Sequence, residues 1–195
     1  MSTAAPMLPR LLLSAIVGAA FVACTSDPVL SDIIDEQGNE TADIDKGEYH
    51  RAGQRCAACH QDGSEASDAP FTLAGTVFAQ PGRQVGVGDV EIRLTDSDGT
   101  KYTTKTNCVG NFFIKASDWA PRFPILVDIA KNGVRRQMRS PIGRAKSCAD
   151  CHRIDTPLKA PLSQLVHIYL YSGDEPGSPN GDDKCPVDPV RPGTQ

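Results

Sequence analysis

Two copies of one short motif, Cys-x-x-Cys-His, constrain this chain more than any other feature of its sequence. The first copy, "CAACH", covers residues 56–60, and the second, "CADCH", covers residues 148–152. Most of the apolar and β-branched residues that predict strands lie between the two copies. The same set of two thiols and one imidazole therefore occurs twice, near the first and near the last residues of one predicted domain.

In a Cys-x-x-Cys-His motif, the two thiols are spaced to bond the two vinyl groups of one haem, and the next imidazole binds its iron. The two motifs resemble those of multihaem c-type cytochromes. The resemblance implies two covalently bound haem c groups, electron transfer with redox partner proteins, and His60 and His152 as proximal iron ligands. The thioether sites that it implies are Cys56, Cys59, Cys148 and Cys151.

Three residues compete for the two remaining axial positions: His50, His167 and Met138. His50 lies ten residues before His60, and at about 3.3 Å per extended residue that span is long enough to pass around a haem. Met138 and His167 lie on either side of the second motif. We expect His50 to bind one iron and His167, ahead of Met138, to bind the other. Without such roles they would be a solvated histidine, a hydrogen-bonded strand histidine and a core methionine.

Other chemistries also use paired cysteines, and the sequence leaves them open. Four cysteines can hold one zinc ion, but the histidine after each pair would then have no role. A thioredoxin-like dithiol needs a βαβ context, and no such pattern flanks either motif. Two plain structural disulfides are the third alternative.

The N-terminus predicts export. Residues 1–23 contain a single charge, Arg10, before an apolar run that ends in small residues, which is typical of a signal peptide. The next residue, Cys24 in "FVAC", resembles the lipid-modified cysteine of bacterial lipoproteins. This implies a periplasmic or cell-surface protein held by a lipid, with the outer membrane favoured. Ordinary cleavage and a retained anchor helix remain alternatives.

The segment 47–172 is predicted to be mainly β, a small antiparallel sandwich with the motifs on its loops. The segment 86–114, "GVGDVEIRLTDSDGTKYTTKTNCVGNFFI", resembles the carboxypeptidase regulatory-like and Cna-B-like sandwich families, which implies a fold and no activity. The segment 24–46 is rich in acidic residues and is predicted to be a flexible tether. The segment 173–195 is rich in Pro, Gly and Asp and is predicted to be an irregular tail. The seven expected strands are 71–79, 90–95, 101–106, 112–116, 124–130, 134–138 and 165–171; the last also fits a short helix.

If consecutive strands are antiparallel, the segments before the first strand and after the sixth lie at the same end of the sandwich. These segments carry the two motifs, so we expect the motifs to cluster there. Cys108 and Cys185 would lie at the opposite end. They are the two cysteines that remain once Cys24 and the motif cysteines are assigned, and in an oxidising compartment they are predicted to form a disulfide.

Charge and composition restrict the partners. The net charge is -4 and no long basic run is present, which argues against nucleic acid as the main partner. A local basic stretch near the second motif is expected to pair with haem propionates, to steer an acidic redox partner or simply to be solvated. It comprises Arg135, Arg136, Arg139, Arg144, Lys146 and Arg153. Trp119, Phe112 and Phe113 are expected either near a porphyrin or in the core.

The sequence shows no substrate pocket or acid–base pair, so we expect an electron-transfer protein rather than an enzyme. Two alternatives remain. A haem enzyme would have one iron without a distal ligand, open to a small oxidant. A non-redox surface lipoprotein would use the sandwich to bind carbohydrate or protein and would keep its cysteines as disulfides.

Overall fold

The computed structural model of the protein describes residues 27–39, 44, 46–81, 83–152 and 167–173. The chain divides into two contact units, residues 1–38 and residues 39–195. The signal peptide, Cys24, Arg153 and Cys185 lie outside the described residues, so the expectations about them remain predictions.

The first unit contains one described helix, α1 (Pro28–Glu36). Its start is specified by the sequence: the Asp27 carboxylate accepts hydrogen bonds from the N–H groups of Val29 (3.0 Å) and Leu30 (3.3 Å), and proline occupies the first turn. This helix was not predicted, because the acidic segment 24–46 was expected to be a flexible tether. Neither α1 nor another described helix is long and apolar enough to cross a membrane.

The second unit is a β-sandwich of two four-stranded sheets, which confirms the predicted fold class. Among its described residues, two short helical turns coincide with the motifs: α2 (Cys56–Cys59) and a 3-10 turn, η1 (Cys148–Asp150). The strands that the structure describes are β1 (Phe71–Gln80), β2 (Arg83–Gly86), β3 (Glu91–Thr95), β4 (Lys101–Lys105), β5 (Asn111–Lys115), β6 (Leu126–Lys131), β7 (Val134–Gln137) and β8 (Ile168–Tyr169).

One sheet has the order β4-β3-β6-β7 and is antiparallel throughout. The alternation seen in the sequence is kept: Ile92 and Leu94 point into the core, and across the β3–β6 pair they face Ile129 and Val127. Polar residues between them lie on the outer face, as expected for a sheet with one solvated side.

The other sheet is organised around β1. This strand pairs antiparallel with β5, where Thr76 faces Asn111, and with β2, and it pairs parallel with β8. The short strand β2 was not predicted. One prediction needs correction: among the described residues of the expected strand 165–171, Ile168 and Tyr169 pair with β1, and they run parallel to it instead of antiparallel.

The strand β1 is buried along its whole length except at Gln80. A strand with one solvated face would alternate between buried and exposed residues, so both of its faces are covered. One side contributes Leu73 and Val77 to the core between the sheets. The turns α2 and η1 also pack against β1, and this strand therefore carries both motifs.

The aromatic residues divide between the core and the outer side of this sheet. Phe112 and Trp119 belong to the hydrophobic core, and Met138 packs against it. Phe113 is partly exposed and stacks on Phe71, with ring centres 5.1 Å apart. Core packing is thus the structural role of Phe112, Trp119 and Met138.

Candidate functional site

Each motif folds into a single tight turn. The His60 N–H donates to the Cys56 carbonyl at 3.0 Å, and the His152 N–H donates to the Cys148 carbonyl at 2.8 Å. In both copies, a backbone hydrogen bond therefore joins the histidine to the first cysteine of the motif.

The two motifs also lie next to each other. The Arg55 guanidinium, just before the first motif, is 3.7 Å from the carboxylate of Asp150, inside the second. The second motif is fixed to β1 because the Ala74 N–H donates to the Lys146 carbonyl at 2.9 Å, and Ser147 forms a parallel bridge with Ala74. The structure thus brings the motifs together, as the expected antiparallel order of the strands predicts. That expectation was based on seven strands, and the structure describes eight.

The imidazole of His60 is held on two sides. Its Nδ1 atom lies 2.9 Å from the Ala69 carbonyl oxygen, and its ring stacks on Phe71 with ring centres 4.0 Å apart and planes 12° from parallel. The loop between them is tied back to the motif, since the Ala66 N–H donates to the Cys59 carbonyl and the Phe71 N–H donates to the His60 carbonyl. His60 therefore has a fixed position and orientation.

The contact with Ala69 also fixes the proton on His60. A carbonyl oxygen only accepts hydrogen bonds, so Nδ1 must carry the hydrogen, and the lone pair of a neutral ring is then on Nε2. This is the arrangement found for metal-binding histidines, in which a backbone carbonyl orients the ring from the opposite nitrogen. Nε2 is therefore the nitrogen through which His60 could hold a metal.

His50 is the nearest candidate for a second ligand at this position. Its ring centre is 6.0 Å from that of His60, with the two planes at 34°. A buried amide holds its backbone: the Asn111 side chain donates to the carbonyls of His50 (3.0 Å) and Glu48 (3.3 Å). The Thr76 hydroxyl donates in turn to the Asn111 side-chain oxygen at 2.7 Å.

The other two distal candidates are placed differently. His167 is buried and meets the edge of Phe78 with ring centres 4.7 Å apart, beside β1 where Val77 pairs with Ile168. Met138 is partly buried against the hydrophobic core. His50, for its part, has a ring contact with the imidazole of His60 in the first motif.

The four motif cysteines are free thiols, and Cys151 is exposed. Burial raises the pKa of the Cys56 thiol to about 11 and that of the Cys148 thiol to about 12. The Cys56 thiol contributes to the Cys148 shift, since two thiolates would repel each other. A redox-active dithiol depends on a lowered thiol pKa, so the two leading cysteines have the opposite property.

Close packing at β1 determines the position of Cys148. A Cβ atom added to Gly75 would be 2.6 Å from the Cys148 sulfur and 3.1 Å from the Phe112 ring. No side chain fits at Gly75 unless Cys148 moves. The second motif therefore depends on a glycine in the middle of a strand.

Cys108, by contrast, is disulfide-bonded. The four motif cysteines are not its partners, because they are free. The predicted partner, Cys185, lies outside the described residues, so this pairing remains a prediction.

Sequence reasoning missed the residues that support the histidines: Ala69, Phe71, Asn111 and Thr76. The first acts through its backbone carbonyl, which no residue type reveals. Asn111 could have been noticed in the sequence, because it is a polar residue directly before the apolar run "FFI" of a predicted strand. The structure shows that it is buried in the sheet. Buried amides are nearly always hydrogen-bonded, so this position pointed to a bound backbone segment.

Within the described part of the chain, no group of three or more His, Cys, Asp or Glu side chains is arranged to hold a metal ion. No protein-family model, curated protein or solved structure matches the chain. The motifs and the geometry around them are therefore the features that indicate a function.

Proposed function

We propose that this protein is an exported dihaem c-type cytochrome that transfers electrons outside the cytoplasm, anchored by a lipid on Cys24. The observation that carries the proposal is the environment of His60: Nδ1 is bound by the Ala69 carbonyl, which leaves Nε2 for iron. In the same turn, Cys56 and Cys59 are free thiols at the spacing of a haem attachment site. The residues of the first motif thus fit the group that the sequence implies.

His50 would be the second imidazole that holds the iron bound by His60. Two imidazoles bound to one metal ion from opposite sides have ring centres roughly 6 Å apart, given metal–nitrogen bonds of about 2 Å. The separation of 6.0 Å between His50 and His60 matches this distance. Asn111 acts as a positioning residue, because it binds the His50 carbonyl and keeps that segment against the sheet.

Covalently bound haem supplies a one-electron couple between ferric and ferrous iron. The chain provides two such sites side by side, since Arg55 and Asp150 link the turns that carry them. Adjacent sites suit a relay between redox partner proteins. The proposed cell-surface or periplasmic location rests on residues 1–23 and Cys24 of the sequence.

The test of this site is replacement of His50 by alanine in haem-loaded protein. With His60 and His50 both bound, the first iron is low-spin in the wild type, and His50→Ala should convert one of the two haems to a high-spin, cyanide-binding form. Visible and electron paramagnetic resonance spectra measure this change. Gln54→Ala, in the same segment, is the control and should leave the spectrum unchanged. A wild-type spectrum that His50→Ala does not alter would contradict the assignment.

A further inference from the structure

The segment that carries His50, residues 47–54, does not hold its shape by regular secondary structure. It consists of turns, and its backbone enters the left-handed region twice, at Arg51 (φ 52°) and at Gly53 (φ 81°). A residue with a Cβ atom, such as Arg51, reaches this region at a cost in free energy and stays there when surrounding contacts require it. Contacts from outside the segment are therefore expected to fix His50.

The Glu48 carbonyl, two residues before His50, accepts hydrogen bonds from two amides. The Asn111 Nδ2 atom donates to it at 3.3 Å, and the Asn107 Nδ2 atom donates to it at 2.6 Å. A carbonyl oxygen has two lone pairs, so both bonds form at once. The shorter bond comes from Asn107, which lies in the turn between β4 and β5. This turn is therefore a separate anchor for the segment.

A third contact holds the segment on the other side of His50. The Gly53 N–H donates to the Thr76 hydroxyl at 2.8 Å, and that hydroxyl donates to the Asn111 side-chain oxygen at 2.7 Å. Thr76 and Asn111 are buried, and a hydrogen bond in a buried, low-dielectric position is stronger than the same bond in water. Thr76, Asn107 and Asn111 thus bind the segment on both sides of His50, and we call them the His50 clamp.

The two polar atoms of the Asn107 amide have separate roles. The Oδ1 atom accepts from the Asn111 N–H at 3.0 Å, which shapes the turn at the start of β5, and the Nδ2 atom reaches out of this turn to the Glu48 carbonyl. The neighbours determine which atom is which, because a carbonyl only accepts and an N–H only donates. A substitution that keeps the acceptor and removes the donor therefore separates the role of Asn107 in the sheet from its role at the His50 segment.

We propose that Asn107 is a positioning residue for His50, acting through the Glu48 carbonyl from the turn between β4 and β5. The His50 clamp binds backbone atoms, so it determines where residue 50 lies without using the imidazole. That this imidazole binds iron rests on the function proposed above; that the Asn107 amide fixes the segment does not. A ligand whose segment is already held loses less entropy when it binds, so His50 should bind more tightly with the complete clamp.

The test compares Asn107→Asp with the wild type. The carboxylate keeps an acceptor for the Asn111 N–H and has no hydrogen to donate to the Glu48 carbonyl. Hydrogen exchange of residues 47–54 in the full chain, measured by mass spectrometry, should become about fivefold to tenfold faster, as the loss of one hydrogen bond predicts. In the haem-loaded chain, cyanide competes with His50, so the cyanide affinity of the haem that responds to His50→Ala should rise by about the same factor.

The matched control is Asn132→Asp, which makes the same change from amide to carboxylate in the exposed turn between β6 and β7. Asn132 has a positive φ of 51°, which aspartate also tolerates. The control should keep both the exchange rate of residues 47–54 and the cyanide affinity within about twofold of the wild type. Haem content and the exchange of β1 and β5 are measured on the same samples.

Wild-type exchange of residues 47–54 in Asn107→Asp would overturn the proposal, because Thr76 and Asn111 would then hold the segment by themselves. Faster exchange that extends equally over β1 and β5 would also overturn it, since Asn107 would then support the whole sheet. Faster local exchange with unchanged cyanide affinity in haem-loaded protein would contradict the effect on His50 as a ligand. Faster local exchange in a chain that carries no haem would support the Asn107 contact and remove the proposed function alone.

Discussion

At the scale of single residues, the site is built from backbone as much as from side chains. The Ala69 carbonyl determines which nitrogen of His60 is available, and the Phe71 ring keeps the imidazole in one plane. The buried side chain of Asn111 holds the His50 segment by two hydrogen bonds. If His60 and His50 bind a metal group, as proposed, contacts of this kind would position them beforehand and leave little reorganisation.

The pKa values of Cys56 and Cys148 predict how the haem-free protein responds to alkali. Their ordinary value is 9.0, and burial raises it to about 11 and about 12 in the folded state. Above about pH 9, the unfolded chain therefore releases protons that the folded chain retains, and stability must fall as the pH rises toward the folded values. Urea denaturation of the reduced, haem-free protein at about pH 8 and about pH 10 measures this loss.

The control for this prediction is the double variant Cys56→Ala/Cys148→Ala, which lacks both thiols and should lose less stability between the same two pH values. In haem-loaded protein the thiols are thioethers and cannot titrate, so the alkaline loss should shrink there too. Equal losses in the wild type and the double variant would show that these thiols do not carry the effect.

At the scale of elements, β1 connects the fold to the site. It contributes Leu73 and Val77 to the core, and it also carries both motif turns. The sequence predicted this strand and its neighbours from β-rich and alternating segments. It did not predict β2 or the parallel pairing of β8, because both are short, and pairing at an edge depends on tertiary contacts more than on residue type.

Gly75 is the position where this strand and the second motif are most tightly packed. Gly75→Ala should push the Cys148 sulfur away, since the added Cβ would be 2.6 Å from it. We expect a loss of about 1–3 kcal/mol of unfolding free energy and incomplete haem attachment at the second motif only. Chemical denaturation and intact mass measure the two effects.

Gly143→Ala is the matched control, because nothing lies within 4 Å of a Cβ atom at that position. It should leave both stability and haem attachment close to wild type. If Gly75→Ala attaches haem at both motifs as fully as Gly143→Ala does, Cys148 does not depend on the close contact with the strand.

At the scale of the whole molecule, the sequence specified which residues would meet but not how they are supported. Two Cys-x-x-Cys-His motifs lie on either side of a strand-rich segment, and antiparallel strands were expected to bring them together. The Arg55–Asp150 contact shows that they lie close to each other. Ligand preference was harder to predict, because His50, His167 and Met138 are all within reach along the chain. Only the folded structure distinguishes a histidine near His60 from a methionine against the core.

The most direct test of the central claim is the number of covalently bound haems per chain. The protein would be produced in a host that matures c-type cytochromes, and pyridine haemochrome absorbance would be combined with intact mass. If the protein is a dihaem cytochrome, we expect two haems in the wild type and one in either double variant, Cys56→Ala/Cys59→Ala or Cys148→Ala/Cys151→Ala. A wild-type chain that carries no haem would contradict it and leave the two motifs as thiol or metal sites of a binding module.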